Sequence, residues 1–274
     1  MKVSEAYLHA VSLLDKSEID NASFEADCIF EYAFGIDRIK RINHPETEVD
    51  FKNAEELIKK RISGVPLQYI LGKWDFYGFT YKVGEGVLIP RPETELLVEN
   101  GIELIKNIEK PVIYDLCAGT GCIGLTLARL IPDSEVFLFE KSENAFRYLT
   151  QNSEGIKNAF PVMADIFTVD CEKYKKPDLI ISNPPYIRTD DISSLQTEVQ
   201  KEPLMALDGG KDGFDFYRLI SEKWLPALNE NGIVAVECGE EQSDDIKKMF
   251  SSFCKKTYSV KDFNGTERIV IGEK

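Results

Sequence analysis

Histidine is almost missing from this chain of 274 residues: His9 and His44 are the only two, and neither has an acid or a nucleophile beside it in sequence. That argues against chemistry built on a histidine base, and both are expected to be structural or at the surface. Basic residues are also scarce, with 33 Lys and Arg against 47 Asp and Glu and a formal net charge of −14. A chain acting on duplex DNA normally carries a basic face that displaces counterions. No such stripe is present, and Lys59-Lys60-Arg61 and Lys247-Lys248 read as solvated helix faces. No direct nucleic-acid substrate is therefore expected, and the charge favours a neutral or basic partner, a protein. The six cysteines (28, 117, 122, 171, 238 and 254) include no C-x-x-C pair and fit no common zinc spacing. No metal is expected, and the thiols read as free in a reducing cytoplasm. No run of 18 apolar residues suggests a membrane-spanning helix. Met1-Lys2-Val3-Ser4-Glu5 lacks the apolar core of a signal peptide.

What the chain does have is patterning. With 43% hydrophobic and 29% charged residues it can bury the core of one large or two modest domains. Residues 1–63 read as a small helical domain. Tyr7, Leu8, Val11 and Leu14 recur at helical spacing, as do Phe24, Cys28, Ile29 and Tyr32, then Leu57, Ile58 and Ile62. Asn53 and Glu56 are spaced like a capping box, and Gly35 and Asn43-His44-Pro45 read as breaks. Residues 64–92 read as a connector. It is aromatic-rich at Trp74 to Phe79, with a short hairpin expected from Thr80–Val83 and Val87–Ile89 around Gly84-Glu85-Gly86. Pro90-Arg91-Pro92 stiffens its end. From residue 93 to 274 helix and strand patterns alternate, with strands expected at 112–115, 135–140, 160–163, 178–182 and 232–237. This predicts an α/β fold, a parallel sheet covered by helices on both faces. The last part differs: Thr257–Phe263 and Arg268–Ile271 flank Asn264-Gly265-Thr266 and read as an antiparallel hairpin.

Two motifs lie at strand ends. Asp115-Leu116-Cys117-Ala118-Gly119-Thr120-Gly121-Cys122-Ile123-Gly124 reads as strand, glycine turn and helix start, with Glu140 ending the next apolar run. A turn without side chains lets backbone approach a nucleotide-like ligand, and an acid at the next strand end receives ribose hydroxyls. Three details favour S-adenosylmethionine over NAD. The Asp115 carboxylate can face a cationic ligand. The motif follows another domain in a chain that closes with a hairpin. Asp165-Ile166-Phe167 can frame an adenine, the acid for its amine and the apolar groups for its faces.

The second motif, Asn183-Pro184-Pro185-Tyr186, follows the apolar run Asp178–Ser182. The Asn183 side-chain carbonyl and the Pro184 backbone carbonyl can each accept one N–H of a planar amide. Both prolines hold φ near about −65° and limit rearrangement, and Tyr186 offers a flat face. Accepting both protons raises electron density on the nitrogen and aligns it for methyl transfer without a covalent enzyme intermediate. Asn183 and Pro184 are thus the expected catalytic groups, with Pro185 and Tyr186 completing the substrate site.

On these residues the chain resembles the peptide-chain release factor glutamine N5-methyltransferases, the HemK/PrmC family. The likeness covers nearly all of it. It includes Pro66–Gly72, Val87–Glu95 with Pro90-Arg91-Pro92-Glu93-Thr94, Asp115–Ile123, Asp178–Ile187, Glu202-Pro203, Ala206–Gly213 and Asn264–Arg268. The resemblance implies a Rossmann-like class I S-adenosylmethionine-dependent methyltransferase fold preceded by a small helical domain; as a separate apolar-patterned domain before the hinge, that domain is expected to grip the substrate. It implies as substrate the glutamine of the Gly-Gly-Gln loop in class-I translation release factors. Residues 117–121, Glu140, Ile166 and Asn183 would contact the cofactor. Glu140 stands where family members commonly carry Asp, and Ile166 where an aromatic can stand, so Phe167 is expected to share the adenine. Two alternatives stay open: a glutamine methyltransferase of a ribosomal protein, whose relatives usually carry a Ser-containing variant of the Pro-Arg-Pro-Glu-Thr segment, and a DNA amino-methyltransferase.

Overall fold

The computed structural model describes residues 1–274, which divide into two units, Met1–Lys73 with Thr197–Lys201, and Trp74–Gln196 with Glu202–Lys274.

The first unit is helical: α1 (Val3–Asp15), α2 (Ala22–Phe34), α3 (Arg38–Asn43), α4 (Lys52–Ile62) and α5 (Leu67–Leu71). Val3, Ala6, Tyr7, Ala10 and Leu14 of α1 share a core with Ala26, Ile29 and Phe30 of α2 and Ala54 and Ile58 of α4. Gly35 ends α2 in the left-handed conformation (φ 64°), its N–H donating to the Glu31 carbonyl, which is the break its sequence position predicts. Arg61 is buried and donates to both carboxylate oxygens of Glu25 (2.6 and 3.1 Å) and to Glu198. A buried pair of this kind is costly to break, because the partner left behind keeps its charge without compensation.

Three expectations are corrected here. Asn53 and Glu56 do not cap α4. The helix begins at Lys52, and the Asp50 carboxylate, a better-placed acceptor, takes the Lys52 N–H (3.2 Å). The helical unit also runs past residue 63 to Lys73, because Leu67 and Ile70 are buried on a fifth helix within the expected connector. Not every residue of the apolar stripes is inside: Leu8, Phe24 and Tyr32 are exposed.

The second unit opens with β1 (Lys73–Phe76) and β2 (Phe79–Lys82), a two-stranded sheet turned at Tyr77-Gly78, where φ is 50° and 75°. Positive φ at both central residues is the mark of a type I′ hairpin turn. The hairpin thus sits one strand earlier than predicted, because Tyr77 takes a conformation that tyrosine rarely adopts. Val87 and Ile89 are buried in an irregular segment instead. Asn152 fastens β2, accepting the Lys82 N–H (2.8 Å) and donating to the carbonyls of Lys82 and Thr120 (3.0 Å each).

After α6 (Glu95–Ile105) come β3 (Val112–Leu116), α7 (Cys122–Leu130), β4 (Glu135–Glu140), α8 (Glu143–Asn152), β5 (Ala159–Met163) and β6 (Leu179–Ser182). Then follow α9 (Asp215–Leu219), a π-helical turn (Ile220–Trp224), α10 (Leu225–Ala227), β7 (Ile233–Glu237), α11 (Ser243–Phe250), β8 (Lys256–Lys261) and β9 (Glu267–Glu273). The strands form one mixed sheet in the order β5-β4-β3-β6-β7-β9-β8. β3 to β7 are parallel, and β9 pairs antiparallel with β7 and β8. Each strand predicted for this sheet lies where expected, to within a residue or two.

Successive residues of a strand point to opposite faces, and here both faces are covered. Ile113, Leu179, Ile181 and Ala235 pack with Leu97, Leu125 and Leu127 of α6 and α7. Tyr114, Leu116, Ile180 and Val234 pack with Tyr217, Trp224 and Phe250 on the other side. Burying each large side chain of this kind contributes roughly 1.5–3 kcal/mol. The strand order reverses between β3 and β6, so the loops leaving their carboxyl ends separate and leave a crevice, where ligands bind in open α/β sheets. No helix is long and apolar enough to cross a membrane.

Candidate active site

The loop after β3 turns through three left-handed residues, Cys117, Gly119 and Gly121 (φ 61°, 57° and 81°). At Gly121 a Cβ would stand 2.5 Å from Leu149 Cδ1, so the turn requires glycine for space as well as for φ. The Gly119 N–H donates to Glu140 Oε2 (2.8 Å) and the Ser142 N–H to Oε1 (2.6 Å). Glu140 therefore holds the glycine loop and keeps acceptor capacity for a further donor. Burial raises its pKa, and the three backbone N–H groups of Ser142, Gly119 and Lys141 oppose that rise.

Asp115 is placed differently from its expected role. It is fully buried and does not line the cavity; its Oδ2 accepts the Gly124 N–H (2.8 Å), while Oδ1 has no partner. Burial pushes its carboxyl up to about 7, against the Gly124 hydrogen bond and with help from the Glu140 charge. It braces the start of α7 from behind the loop. Gly121 lies outside the cavity lining as well, whereas Cys117, Ala118, Gly119 and Thr120 belong to it. Burial pushes the Cys117 thiol well up, which leaves it a poor nucleophile at neutral pH.

The two motif loops leave neighbouring strands side by side. Leu116 and Ser182 are in register, and Ser182 Oγ donates to the Leu116 carbonyl (2.5 Å), so Cys117 and Asn183 start from adjacent points. Asn183 lines the cavity. Its Nδ2 donates to Thr94 Oγ1 (3.1 Å), and Thr94 Oγ1 donates in turn to Glu237 Oε2 (2.7 Å). That polarity leaves Asn183 Oδ1 as the free end of the amide. Pro185 also lines the cavity, while Pro184 is buried and Tyr186 half-buried. Close packing holds this loop: a Cβ on Gly209 would meet Tyr186 Cα at 2.7 Å, and Gln242 Nε2 donates to the Tyr186 carbonyl (3.1 Å). Tyr186 packs against the second core cluster, and burial drives its phenol pKa upward.

The cavity is open to solvent and runs from this amide, past the glycine loop, to the residues that follow β5. Asp165 sits on its far wall, accepting the Phe167 N–H (2.9 Å) and pairing with Lys141 (2.8 Å). Burial alone would raise its pKa, but the Lys141 ammonium and the Phe167 N–H outweigh it and lower the value. Ile166 is buried, whereas Phe167 is partly exposed and meets Phe216 edge to face (5.3 Å, 81°). Both Ile166 and Phe167 line the cavity. The π-helical turn holds this loop from outside: Lys223 Nζ donates to the Ile166 and Phe167 carbonyls (2.9 and 3.0 Å), and Trp224 Nε1 to that of Ile166 (3.3 Å). Ile89 and Arg91 also line the cavity, and the buried carboxylate of Glu202 holds both, accepting the Ile89 N–H (2.9 Å) and pairing with Arg91.

Sequence reading missed Thr94, Phe216 and Glu237. Thr94 stood in the Pro90–Thr94 family segment without a role, and Glu237 had a readable signal: β3, β4 and β7 each carry an acid at or next to their last residue. His9 and His44 are exposed, as expected, and no group of three or more His, Cys, Asp or Glu side chains is placed to hold a metal ion.

Comparison with known proteins gives the same outline. Residues 5–72 match the PrmC N-terminal domain, and residues 92–205 the methyltransferase small domain. The release factor glutamine methyltransferase of Thermodesulfovibrio yellowstonii is 40% identical over 260 residues, covering 91% of this chain and 92% of that protein. The protein of the same name from Clostridium acetobutylicum is 33% identical over 279 residues, covering 99% and 98%. Among solved structures, a methyltransferase from Pyrococcus furiosus superposes with a TM-score of 0.52 at 18% identity, covering 81% of this chain and 98% of that one. The hMettl16 catalytic domain in complex with MAT2A 3′UTR hairpin 6 gives 0.58 at 13% identity, covering 92% and 81%. At such identities these two structures bear on the fold alone, a methyltransferase fold.

Proposed function

The chain belongs to the release factor glutamine methyltransferase family, and on that premise we propose that it methylates the side-chain nitrogen of the Gly-Gly-Gln glutamine in class-I release factors. The observation that carries this reading is the Asn183 amide, turned with its carbonyl free at the carboxyl end of β6, beside the glycine loop of β3. S-adenosylmethionine, when bound, supplies an electrophilic methyl group on a sulfonium.

The residues present fit that cofactor. The side-chain-free turn at Gly119 would admit its amino-acid tail, Glu140 would accept from ribose hydroxyls, and Asp165 with Ile166 and Phe167 would frame the adenine. Phe216 backs Phe167, so the aromatic surface is built from two rings. Asn183 Oδ1 and the Pro184 carbonyl accept the two N–H groups of the substrate amide. This concentrates the nitrogen lone pair and points it across the cavity. Positioning can contribute up to about 7–11 kcal/mol in ideal cases. The nitrogen becomes strongly acidic once methylated, so its proton leaves late and no strong base is required.

The exposed Leu8, Phe24 and Tyr32 of the helical unit grip the body of the release factor, which a short glutamine loop alone would not specify. A protein rather than a nucleic acid is the partner, in keeping with the charge of −14. The reaction takes place in the cytoplasm, where six free cysteines stay reduced.

Mass spectrometry of an unmethylated release factor, incubated with the enzyme and S-adenosylmethionine, tests the proposal. One methyl group on the Gly-Gly-Gln glutamine, absent when that glutamine is replaced, is the expected result. No gain from folded, cofactor-binding enzyme would overturn it and turn attention to ribosomal proteins and then DNA.

A further inference from the structure

Asn183 can serve its role in only one of two orientations. The side-chain carbonyl must face the substrate, yet the amide has nearly the same shape when turned end for end. Something must select the end. Among the groups around it, the selection comes from a one-directional chain of hydrogen bonds. Asn183 Nδ2 donates to Thr94 Oγ1 at 3.1 Å, and Thr94 Oγ1 donates to Glu237 Oε2 at 2.7 Å. The Asn183 amide N–H also supports the Glu237 carboxylate directly. A hydroxyl has a single proton. While that proton is given to Glu237, Thr94 can only accept from Asn183, and only the NH₂ end of the amide can donate.

We infer that Glu237 is a positioning residue whose negative charge, passed through Thr94, keeps the Asn183 carbonyl turned toward the substrate amide. A protonated Glu237 no longer enforces that direction, because its O–H can donate to Thr94 while its carbonyl can still accept. In the reversed arrangement the Thr94 proton swings to Asn183, and the amide answers with its carbonyl. The NH₂ end then faces the substrate N–H groups, donor against donor.

The surroundings place this reversal near neutrality. Glu237 is buried at the end of β7, and burial pushes its carboxyl up to about 7 against the pull of Thr94, Arg268 and Asn183. The groups facing it are Glu93 and Thr94 from the turn before α6, Cys122 from α7, Tyr186 from the Asn-Pro-Pro-Tyr loop, Tyr217 from α9, Cys238 beyond β7 and Arg268 from β9. Arg268 is the one cation among them, and it also pairs with Asp262 (3.1 Å). Tyr217 Oη donates to the Glu237 backbone carbonyl (2.8 Å), so the backbone is held independently of the carboxylate.

The inference rests on the methyl-transfer reading of this site, and its test separates the two. Nitrogen–proton spectra of the whole protein, from about pH 5.5 to about pH 8.5, follow the Asn183 side-chain amide, assigned by its loss in Asn183→Asp. In the wild type both amide resonances should move through neutrality, and in Glu237→Gln they should stay fixed. No substrate is needed for that arm, so it decides the relay even if release factors prove to be the wrong substrate. In the reaction, Glu237→Gln should lower kcat roughly 10- to 100-fold and abolish its rise with pH, with both KM values within about twofold of wild type. Glu237→Asp should regain part of the rate and the pH dependence. Thr94→Val should reproduce the loss and Thr94→Ser relieve it, which keeps the test intact if a Glu237 variant fails to fold. A wild-type kcat and pH profile in Glu237→Gln, a loss carried by KM alone, or amide resonances indifferent to pH in the wild type would each overturn the inference.

Discussion

Replacing Asp115 with asparagine gives a sharp test of the electrostatics beneath the glycine loop. The carboxylate is fully buried, accepts one hydrogen bond from Gly124 and leaves Oδ1 without a partner. Its folded-state pKa is raised from 3.8 to about 7, chiefly by burial. For an acid raised on folding, the folded state holds its proton more tightly than the unfolded chain. The stability it lends is complete below the unfolded value and is lost as pH rises through the folded one. Between about pH 5 and about pH 7 the loss runs at about 1.4 kcal/mol per pH unit, so this one group removes about 3 kcal/mol. The amide in Asp115→Asn cannot ionise. Its extra N–H would stand where Oδ1 now has no partner, costing roughly 1–3 kcal/mol, but that cost does not change with pH. The difference in stability between Asp115→Asn and wild type should therefore swing by about 3 kcal/mol in favour of the variant from about pH 5 to about pH 8. The buried Glu237 titrates in both proteins and cancels. Urea unfolding followed by tryptophan fluorescence is a suitable assay, because Trp224 lies in the core of this unit with no exposure. Parallel stability curves for the two proteins across that range would refute the argument.

Other perturbations test other parts of the structure. Asn183→Ala should reduce methyl transfer by on the order of 10²-fold; a near-normal rate would sink the proposed alignment. Gly121→Ala forces a Cβ to 2.5 Å from Leu149 Cδ1 at φ 81°. The strained φ and the overpacking together should cost roughly 2–5 kcal/mol, read as a lowered Tm, and an unchanged Tm would mean the turn yields more easily than its packing implies. Phe24→Ala with Tyr32→Ala should raise the KM for the release factor about 10-fold or more and leave kcat alone, as lost docking does. A change in kcat without KM would place those side chains elsewhere in the reaction.

Much of the second unit was legible because parallel strands buried on both faces leave apolar runs that nothing else in the chain imitates. Leu179–Ser182 is such a run, and its four residues are all buried. The glycine turn and Asn183 were legible for a related reason: each interrupts a strand end with residues that a plain connection would not use. Local patterns failed where geometry was unusual. Tyr77 at φ 50° hid the true hairpin turn, and α4 starts at Lys52, ahead of Asn53, with Asp50 accepting the Lys52 N–H. Asp115 carried the right chemistry for a cationic ligand, but the strand's alternation turns it behind the loop. The relay from Asn183 to Glu237 could not be read at all, since Thr94 and Glu237 lie 143 residues apart and meet only once α6 packs beside β7.

Consider finally the pairing of Leu116 with Ser182. Two segments separated by 66 positions in the chain end one strand spacing apart, and the serine hydroxyl ties them across that gap. Neighbouring strands in any sheet lie about 4.8 Å apart, a distance fixed by backbone geometry and indifferent to side chains. The span between the group that holds the donor and the group that presents the acceptor is thereby measured out by the peptide bond itself.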